Sequence, residues 1–226
     1  MRDIGQARRR RGRPPRRNPK GRALLPRGFV EGLDRIPDTP FGHSPAHAAK
    51  SPRRRWFHPI TSCSSVEQHR TAFISAMARV ASGVSVVTTD GPAGRAGLTV
   101  SAMCSLSADP PAVLVCINRA SHAGRIIRIN GVFCVNVLAS HQVDIARRFA
   151  SQAVAGDKFF EIAWDRFITG APVLREAVAI FDCNLTRGAD FGSHDILIGV
   201  VAETEERSGA PLLYVGRAYC APVTLP

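Results

Sequence analysis

The chain has 226 residues, of which 45% are hydrophobic, so it is long and apolar enough to bury the core of one or two domains. Its net charge of +12 would suit a nucleic-acid-binding protein, but residues 1–60 hold 16 Lys and Arg against 4 Asp and Glu, and the rest holds 14 of each. No apolar run reaches the roughly 18 residues of a membrane helix. No apolar segment follows the first arginines, so we expect neither a membrane span nor a secretory signal.

The first 62 residues are rich in Arg, Pro and Gly and lack a periodic apolar pattern, so we expect a disordered extension. Within it, Arg11-Gly-Arg-Pro14 resembles the core of an AT-hook, which inserts arginines into the minor groove of DNA. A solvated tail or a start codon assigned too far upstream are the alternatives. We favour these alternatives, and no nucleic-acid partner is expected. His43 and His47 have the helical spacing of metal ligands but flank Pro45, so no metal site is expected.

The cysteines indicate free thiols in a reducing compartment. They are residues 63, 104, 116, 134, 183 and 220. None forms a C-x-x-C pair, and most lie in apolar, strand-like runs such as VLVCI and FCVNV. This pattern is typical of buried thiols, not of disulfides or zinc sites. We therefore expect a cytoplasmic protein.

A helix is predicted at the start of the folded domain, which we place at residues 65–226. Ser65 and Gln68 have the spacing of a capping box, and apolar residues then recur at helical intervals. The helix is predicted over residues 65–81, with Gly83 ending it.

Strands follow this helix. One is predicted over residues 84–89, and a glycine-rich loop leads to another at 98–102, in which apolar and hydroxyl residues alternate. Asp109-Pro-Pro111 predicts a corner before residues 112–117, a continuously apolar strand that we expect to be buried on both faces.

The rest of the chain alternates short helices with strands. Helices are predicted over residues 121–130, stopped by Gly131, and over 143–150. Further strands are predicted over residues 133–138, 178–186, 194–206 and 211–216. Ser208-Gly209 is predicted to join the last two as a hairpin turn. Many closely spaced strands with few helices predict a mainly β (α+β) domain, an antiparallel barrel that is closed or nearly closed.

Small hydroxyl residues are dense around the strand at 98–102. They are Thr99, Ser101, Ser105 and Ser107. The chain has neither G-x-G-x-x-G nor a P-loop, and the spacing of Gly91, Gly94 and Gly97 differs from both. These hydroxyls, with Asn118 and Ser121, are candidates for a phosphate cradle of side chains and backbone N–H groups. The alternative is that they only cap turns and bond locally.

His194, in Gly192-Ser-His-Asp195, precedes a strong strand. It is either a hydrogen-bonded structural residue or a group offered to a carbonyl of a ligand. No G-x-S-x-G motif accompanies it, which argues against a serine hydrolase.

The order of these segments resembles the short-chain flavin reductase family from about residue 70 to residue 220. The segments are ASGVSVVTTDG, GLTVSAMCSLSADPPAVLVCINRAS, GVFCVNVLA, KFF, GAPVLREAVAIFDCNL, GSHDILIGVV and PLLYVGRAY. The resemblance implies a split β-barrel of Greek-key type with a few short peripheral helices. It implies a homodimer that uses NADH or NADPH to reduce FMN or FAD and passes the reduced flavin to a separate monooxygenase.

The resemblance also implies a set of cofactor-binding residues. They are Thr99, Val100, Ser101, Ala102, Ser105, Ser107, Asn118, Ser121, Arg125, Gly192, Ser193 and His194. The first four would lie along the flavin ring and ribityl chain, and Ser105 and Ser107 would follow toward the phosphate. Asn118 and Ser121 would approach the phosphate, with Arg125 as a neighbour. His194 would orient the nicotinamide, and no side chain is required as a catalytic base because hydride passes directly to flavin N5.

Two positions depart from the family pattern. Ser193 stands where the family's Gly-Asp-His motif has Asp, and Asp195 follows the histidine instead. The family's frequent Asp-Arg-Phe is Asp157-Lys-Phe159 here, which keeps the charge but loses the bidentate geometry of arginine. Two alternatives to a reductase remain: a split-barrel protein that holds FMN as an electron carrier or flavin store, and a DNA-tethered protein.

Overall fold

A computed structural model describes residues 63–152 and 155–225. The predicted extension, with its AT-hook-like motif and its histidine pair, lies outside these residues. The helices in the described part are α1 (Cys63–Met77), α2 (His122–Asn130), α3 (Val143–Ala150) and α4 (Ala155–Phe159). The strands are β1 (Ser82–Gly83), β2 (Ser85–Thr89), β3 (Ala96–Val100), β4 (Met103–Ala108), β5 (Pro111–Asn118), β6 (Val132–Val137), β7 (Trp164–Arg166), β8 (Pro172–Leu174), β9 (Ala179–Phe191), β10 (His194–Glu206), β11 (Leu213–Val215) and β12 (Ala218–Cys220).

Seven strands form one antiparallel sheet in the order β3-β2-β6-β9-β10-β5-β4. Its two edge strands, β3 and β4, are consecutive in the chain and are separated by Ser101 and Ala102 alone. The sheet must therefore curl until its edges meet, and it closes through chain continuity instead of a ladder of hydrogen bonds between the edges. This is the antiparallel split barrel that the sequence predicts.

A long ribbon of two strands organises the barrel. β9 and β10 have 13 residues each and pair from Ala179↔Glu206 to Phe191↔His194, with Gly192 and Ser193 between them. Gly192 has φ 57°, which a residue with a side chain rarely adopts, so this tight turn favours glycine. The turn places His194 at the first position of β10.

Two apolar clusters lie on opposite faces of the sheet. The barrel interior holds Val115 and Ile117 of β5, Phe133 of β6 and Leu197 of β10, and Ile127 of α2 packs with them. Outside the barrel, α3, α4 and the hairpin of β7 and β8 cover β2, β6 and β9. One end of the sheet is thus covered by helices.

Two helices end as the sequence predicts. Ser121 is the N-cap of α2, and its hydroxyl accepts a hydrogen bond from the N–H of Gly124 at 3.4 Å. Gly131, with φ 69°, is the C-cap, and its N–H donates to the carbonyl of Ile127. α3 spans the predicted residues, Val143–Ala150.

The first helix ends earlier than predicted. α1 stops at Met77, and the next carbonyl, of Ala78, accepts a hydrogen bond of 2.7 Å from the N–H of Gly216. Ser82 and Gly83 then form β1, which pairs with β11. The periodic apolar pattern continues to Val80, but the helix ends at Met77 because Ala78, Ser82 and Gly83 bond to the C-terminal segment.

The predicted strand at 98–102 and the predicted hairpin at Ser208-Gly209 are also wrong in part. β3 ends at Val100, because the chain must pass there from one sheet edge to the other. Beyond Glu206 the chain leaves β10, and β11 pairs with β1 and β12 in a separate three-stranded sheet. Leu212 takes part in that change of direction by donating to the carbonyl of Leu138 at 2.8 Å.

The cysteines divide between the core and the surface. Cys134 and Cys183 are buried, and burial raises the pKa of both thiols. Cys116 and Cys220 are half-buried. Cys104 is exposed on β4, so the prediction of a buried thiol is wrong there, because β4 has no covering layer.

Candidate functional site

A cleft of about 690 Å³ opens beside β3. Its floor is formed by β3 residues 96–99, and one wall is formed by Asn118 and residues 120–123 around the start of α2. The other wall is formed by residues 149–152 at the end of α3 together with Lys158. The cleft therefore lies between two helices at the covered edge of the sheet.

The floor of the cleft packs tightly against the aromatic residues behind it. A Cβ atom at Gly97 would lie 2.8 Å from the ring of Phe149 and 3.2 Å from that of Phe159, so glycine is required for this close approach. Thr99 is half-buried, and its hydroxyl donates to the carbonyl of Ala146 at 2.7 Å. Because its one proton is used, the Thr99 hydroxyl can serve a ligand only as an acceptor.

The α2 wall presents backbone donors. The Asn118 side chain accepts from the N–H of Ala120 at 2.9 Å, and Ser121 caps Gly124, so both polar side chains shape the turn. The N–H groups of His122 and Ala123 lie in the first helical turn, where intrahelical acceptors are lacking. Both residues line the cleft. A helix start of this kind favours an anion.

The opposite wall carries a buried cation. Lys158 is 8% exposed, and its Nζ donates to the carbonyls of Ser151 at 2.8 Å and Phe149 at 3.3 Å. Burial lowers the pKa of this ammonium group from its ordinary value. Of the described residues that line the cleft, His122 and Lys158 can carry positive charge and none is a carboxylate. This lining favours an anionic ligand over a cationic one.

The predicted hydroxyls fall into two groups. Thr99, Asn118 and Ser121 line the cleft. Ser101, Ala102, Ser105 and Ser107 are exposed along and before β4 and do not line it. The Ser107 hydroxyl donates to the carbonyl of Asp109 at 3.0 Å and accepts from its N–H at 3.1 Å, so local capping accounts for that residue.

Val100 and Arg125 do not line the cleft. Val100 is buried in the barrel interior. Arg125 is exposed one turn after His122, with its Nη2 3.5 Å from the imidazole Nδ1.

His194 pairs with Asn118 across β10 and β5, which places it beside the α2 wall. Its Nδ1 lies 2.9 Å from the Ser193 hydroxyl, and the carbonyl of Ser193 accepts from the N–H of Arg119 at 3.0 Å. The Gly192–His194 turn is thus anchored next to the cleft.

Lys158 is the residue that the sequence analysis missed as a site candidate. Its neighbour Phe159 packs its ring at 5.1 Å from those of Phe149 and Trp164, and the Lys158 ammonium group bonds to carbonyls at the end of α3. The signal available was the match of Asp157-Lys-Phe159 to a recurrent family motif. That match does not reveal that the end of α3 and α4 enclose the side chain.

Comparison with known proteins gives concordant matches. The model of the "Flavin reductase like domain" family matches residues 77–222. "FMN reductase (NADH) RutF" of Agrobacterium fabrum is 42% identical over 154 residues, which are 68% of this chain and 88% of that protein. A putative flavin reductase of Haemophilus somnus has 37% identity and a TM-score of 0.65, covering 67% of this chain and 98% of that one. Nitrilotriacetate monooxygenase component B of Mycobacterium thermoresistibile has 29% identity and a TM-score of 0.66, covering 72% and 92%.

Proposed function

This chain belongs to the flavin reductase-like family, and from that premise we propose that it is an NADH-dependent reductase whose flavin substrate is FMN. The predicted family, split-barrel fold and flavin reductase activity are confirmed. The preference for FMN and NADH rests on the A. fabrum relative, which is named for both. NADPH and FAD remain the competing substrates.

The observation that carries the proposal is the cationic cleft. FMN carries a phosphate with up to two negative charges, and the cleft offers Lys158, the first-turn N–H groups of α2 and no carboxylate among its described lining residues. The Asn118 and Ser121 side chains would hold the loop that presents those N–H groups. We therefore propose that Asn118 and Ser121 act indirectly: their side chains hold the turn whose backbone N–H groups bind the phosphate.

The ring and ribityl chain would run from the cleft along residues 99–102 toward Ser105 and Ser107. These residues have small side chains and exposed backbone beyond Val100, so a flat ring can approach the strand closely. The flavin supplies the redox chemistry, since N5 accepts the hydride and no protein base is required. The protein contributes position and electrostatic stabilisation.

His194 is assigned to the nicotinamide. If the Ser193 hydroxyl donates to Nδ1, the imidazole proton resides on Nε2, which can then donate to the nicotinamide carboxamide. Ser193 stands where the family has Asp, and its short hydroxyl side chain can donate this hydrogen bond to Nδ1 of His194. Arg125, exposed beyond His122, would add positive charge near the phosphate.

A homodimer is the assembly that fits the exposed apolar residues. On α1 and the turn after it, Phe73 is 66% exposed and Val66, Ile74, Met77 and Val80 are 42–51% exposed. β4 is a bare edge strand with Leu106 exposed as well. An apolar stripe and an uncovered edge are costly on a monomer, and a second copy of the chain would cover them.

The proposed recipient of the reduced flavin is a separate monooxygenase, because the M. thermoresistibile neighbour is a component of one. The helices of the described residues are too short or too polar to cross a membrane. A cytoplasmic site of action stays an expectation from the free thiols.

The first test is anaerobic oxidation of NADH and of NADPH by the purified chain with FMN, FAD or no flavin added. We expect oxidation that requires added flavin, saturates with it, and is fastest with NADH and FMN. Oxidation favouring NADPH or FAD would overturn the substrate assignment. A flavin that remains bound through purification without turnover would support the electron-carrier alternative instead.

A further inference from the structure

A carboxylate enclosed by two arginines lies directly behind His194. Asp195 follows His194 on β10, and its side chain points to the barrel side of the strand with 12% exposure. Arg128 binds it with two contacts, Nη2 to Oδ1 at 2.8 Å and Nε to Oδ2 at 3.2 Å. Arg119 approaches the same carboxylate, with Nε 3.7 Å from Oδ1.

The two arginines come from the segments that form the α2 wall of the cleft. Arg128 is in the last turn of α2, whose first turn lines the cleft. Arg119 lies between Asn118 and α2, and it also contacts the hairpin turn, through its N–H to Ser193 and through Nη1 at 3.5 Å from Asp190. Asp195 therefore joins β10, the turn that bears His194, and α2.

An ion pair of this kind is strongly directional. Bidentate contacts between a guanidinium and a carboxylate fix both distance and orientation. The Asp195 carboxylate is largely buried, whereas the side chains of Arg128 and Arg119 are 41% and 52% exposed. Loss of the carboxylate charge weakens the bidentate contact that orients Arg128, so the segments that this contact joins are expected to shift. Ile127, the residue before Arg128, packs in the barrel interior, so this packing and the Asp195 contact together hold the C-terminal half of α2.

The geometry points to Asp195 as a positioning residue that, through Arg128 and Arg119, sets the distance between His194 and the first turn of α2. This inference rests on the proposed function, in which His194 meets the nicotinamide and the α2 turn meets the flavin phosphate. Asp195 touches neither ligand. It sets the alignment of the two bound ligands, on which hydride transfer depends.

The test is Asp195→Asn, which keeps the shape of the side chain and removes its charge. We expect kcat/KM for NADH at saturating FMN to fall about tenfold, equivalent to about 1.4 kcal/mol. We also expect loss of the long-wavelength absorbance that a stacked nicotinamide–flavin pair gives on anaerobic mixing, while FMN still binds. In the Arg128→Met background, Asp195→Asn should cause little further loss, because the two residues act as one unit.

Asp90→Asn is the matched control. Asp90 is also a largely buried carboxylate held by two arginines, Arg95 at 3.1 Å and Arg166 at 2.7 Å, but it does not line the cleft. Equal losses of kcat/KM in Asp90→Asn and Asp195→Asn, or an unchanged absorbance band in Asp195→Asn, would overturn the inference.

If Asp195→Asn does not fold, the Arg128→Lys variant tests the positioning role of Asp195 instead. It keeps the charge and loses the bidentate contact, so an approximately threefold loss of kcat/KM is expected, and an unchanged value refutes the inference. Failure of the wild-type chain to oxidise NADH with FMN would instead refute the proposed function.

Discussion

Strands β3 and β4 are neighbours in the chain but differ sharply in their surroundings. Helices α3 and α4 and the start of α2 lie over β3, where every residue is buried or half-buried. On β4 every residue after Met103 is exposed. The two strands share small hydroxyl residues, but the Thr99 hydroxyl donates to the carbonyl of Ala146 in α3, whereas Ser105 is exposed.

On the proposed function, this difference assigns two tasks to the two strands. The covered strand β3 lines the cleft proposed for the phosphate, and the bare strand β4 leaves surface open for the proposed flavin ring and second subunit.

The largest effect is expected from Phe73→Glu on α1. If a second copy covers α1 and β4, the substitution removes a buried aromatic side chain and places a charge in the interface, at a cost of about 2 kcal/mol or more. Because both subunits carry the substitution, the cost to the dimer is about 4 kcal/mol or more, and the dimer dissociation constant should rise at least several hundred-fold, as measured by light scattering over a dilution series. Gln68→Glu, an exposed position on the same helix, adds the same charge and should leave the dimer intact. A monomeric wild-type chain would remove the basis for this prediction.

Lys158→Met tests the cleft beside the covered strand β3. A charge-assisted contact with phosphate is worth about 1.5–3 kcal/mol, so the dissociation constant for FMN should rise roughly 10- to 150-fold. The dissociation constant for riboflavin, which has no phosphate, should change little. Fluorescence titration of both flavins measures this. Equal losses for the two flavins would show that Lys158 supports the fold and does not contact the phosphate.

The lowered pKa of Lys158 adds a pH signature to this test. As pH rises through that value the ammonium group loses its charge, so FMN affinity should fall at a pH below that of an ordinary lysine. Lys158→Arg keeps the charge, and its FMN affinity should stay level over the same range.

Gly97→Ala is expected to have a smaller effect, on stability. The added Cβ would lie 2.8 Å from the ring of Phe149, and displacing that packed ring should lower the free energy of unfolding by about 1–3 kcal/mol. Ser105→Ala on the bare strand should change it by less than about 0.5 kcal/mol. Urea denaturation of both variants, monitored by Trp fluorescence, makes the comparison. A Gly97→Ala variant as stable as the wild type would mean that the covered strand is loosely packed.

Local patterns were sufficient to predict α2 and α3. Ser121 and Gly131 are capping residues whose preferences arise within a few residues of chain, and no distant contact overrides them. The barrel was predictable because alternating strands occur at short intervals, and the order of motifs identified the family.

Long-range pairing produced the errors. The alternation of apolar and hydroxyl residues runs without interruption from Leu98 to Ala102, so it does not indicate that the chain changes sheet edges at Ser101 and Ala102. The same holds for Ser208-Gly209, a good hairpin sequence whose following strand pairs with β1 instead. The burial of Lys158 likewise depends on packing between α3 and α4, which the spacing of residues along the chain does not encode.

The two-residue join between β3 and β4 has a consequence for exchange of the flavin. Strand edges that meet through a covalent connection leave a seam without interstrand hydrogen bonds to break. On the proposed placement, the ring enters and leaves along this seam while every ladder of the barrel stays intact. The energetic cost of release is then confined to the ligand's own contacts, as suits a molecule that must depart after each reaction cycle.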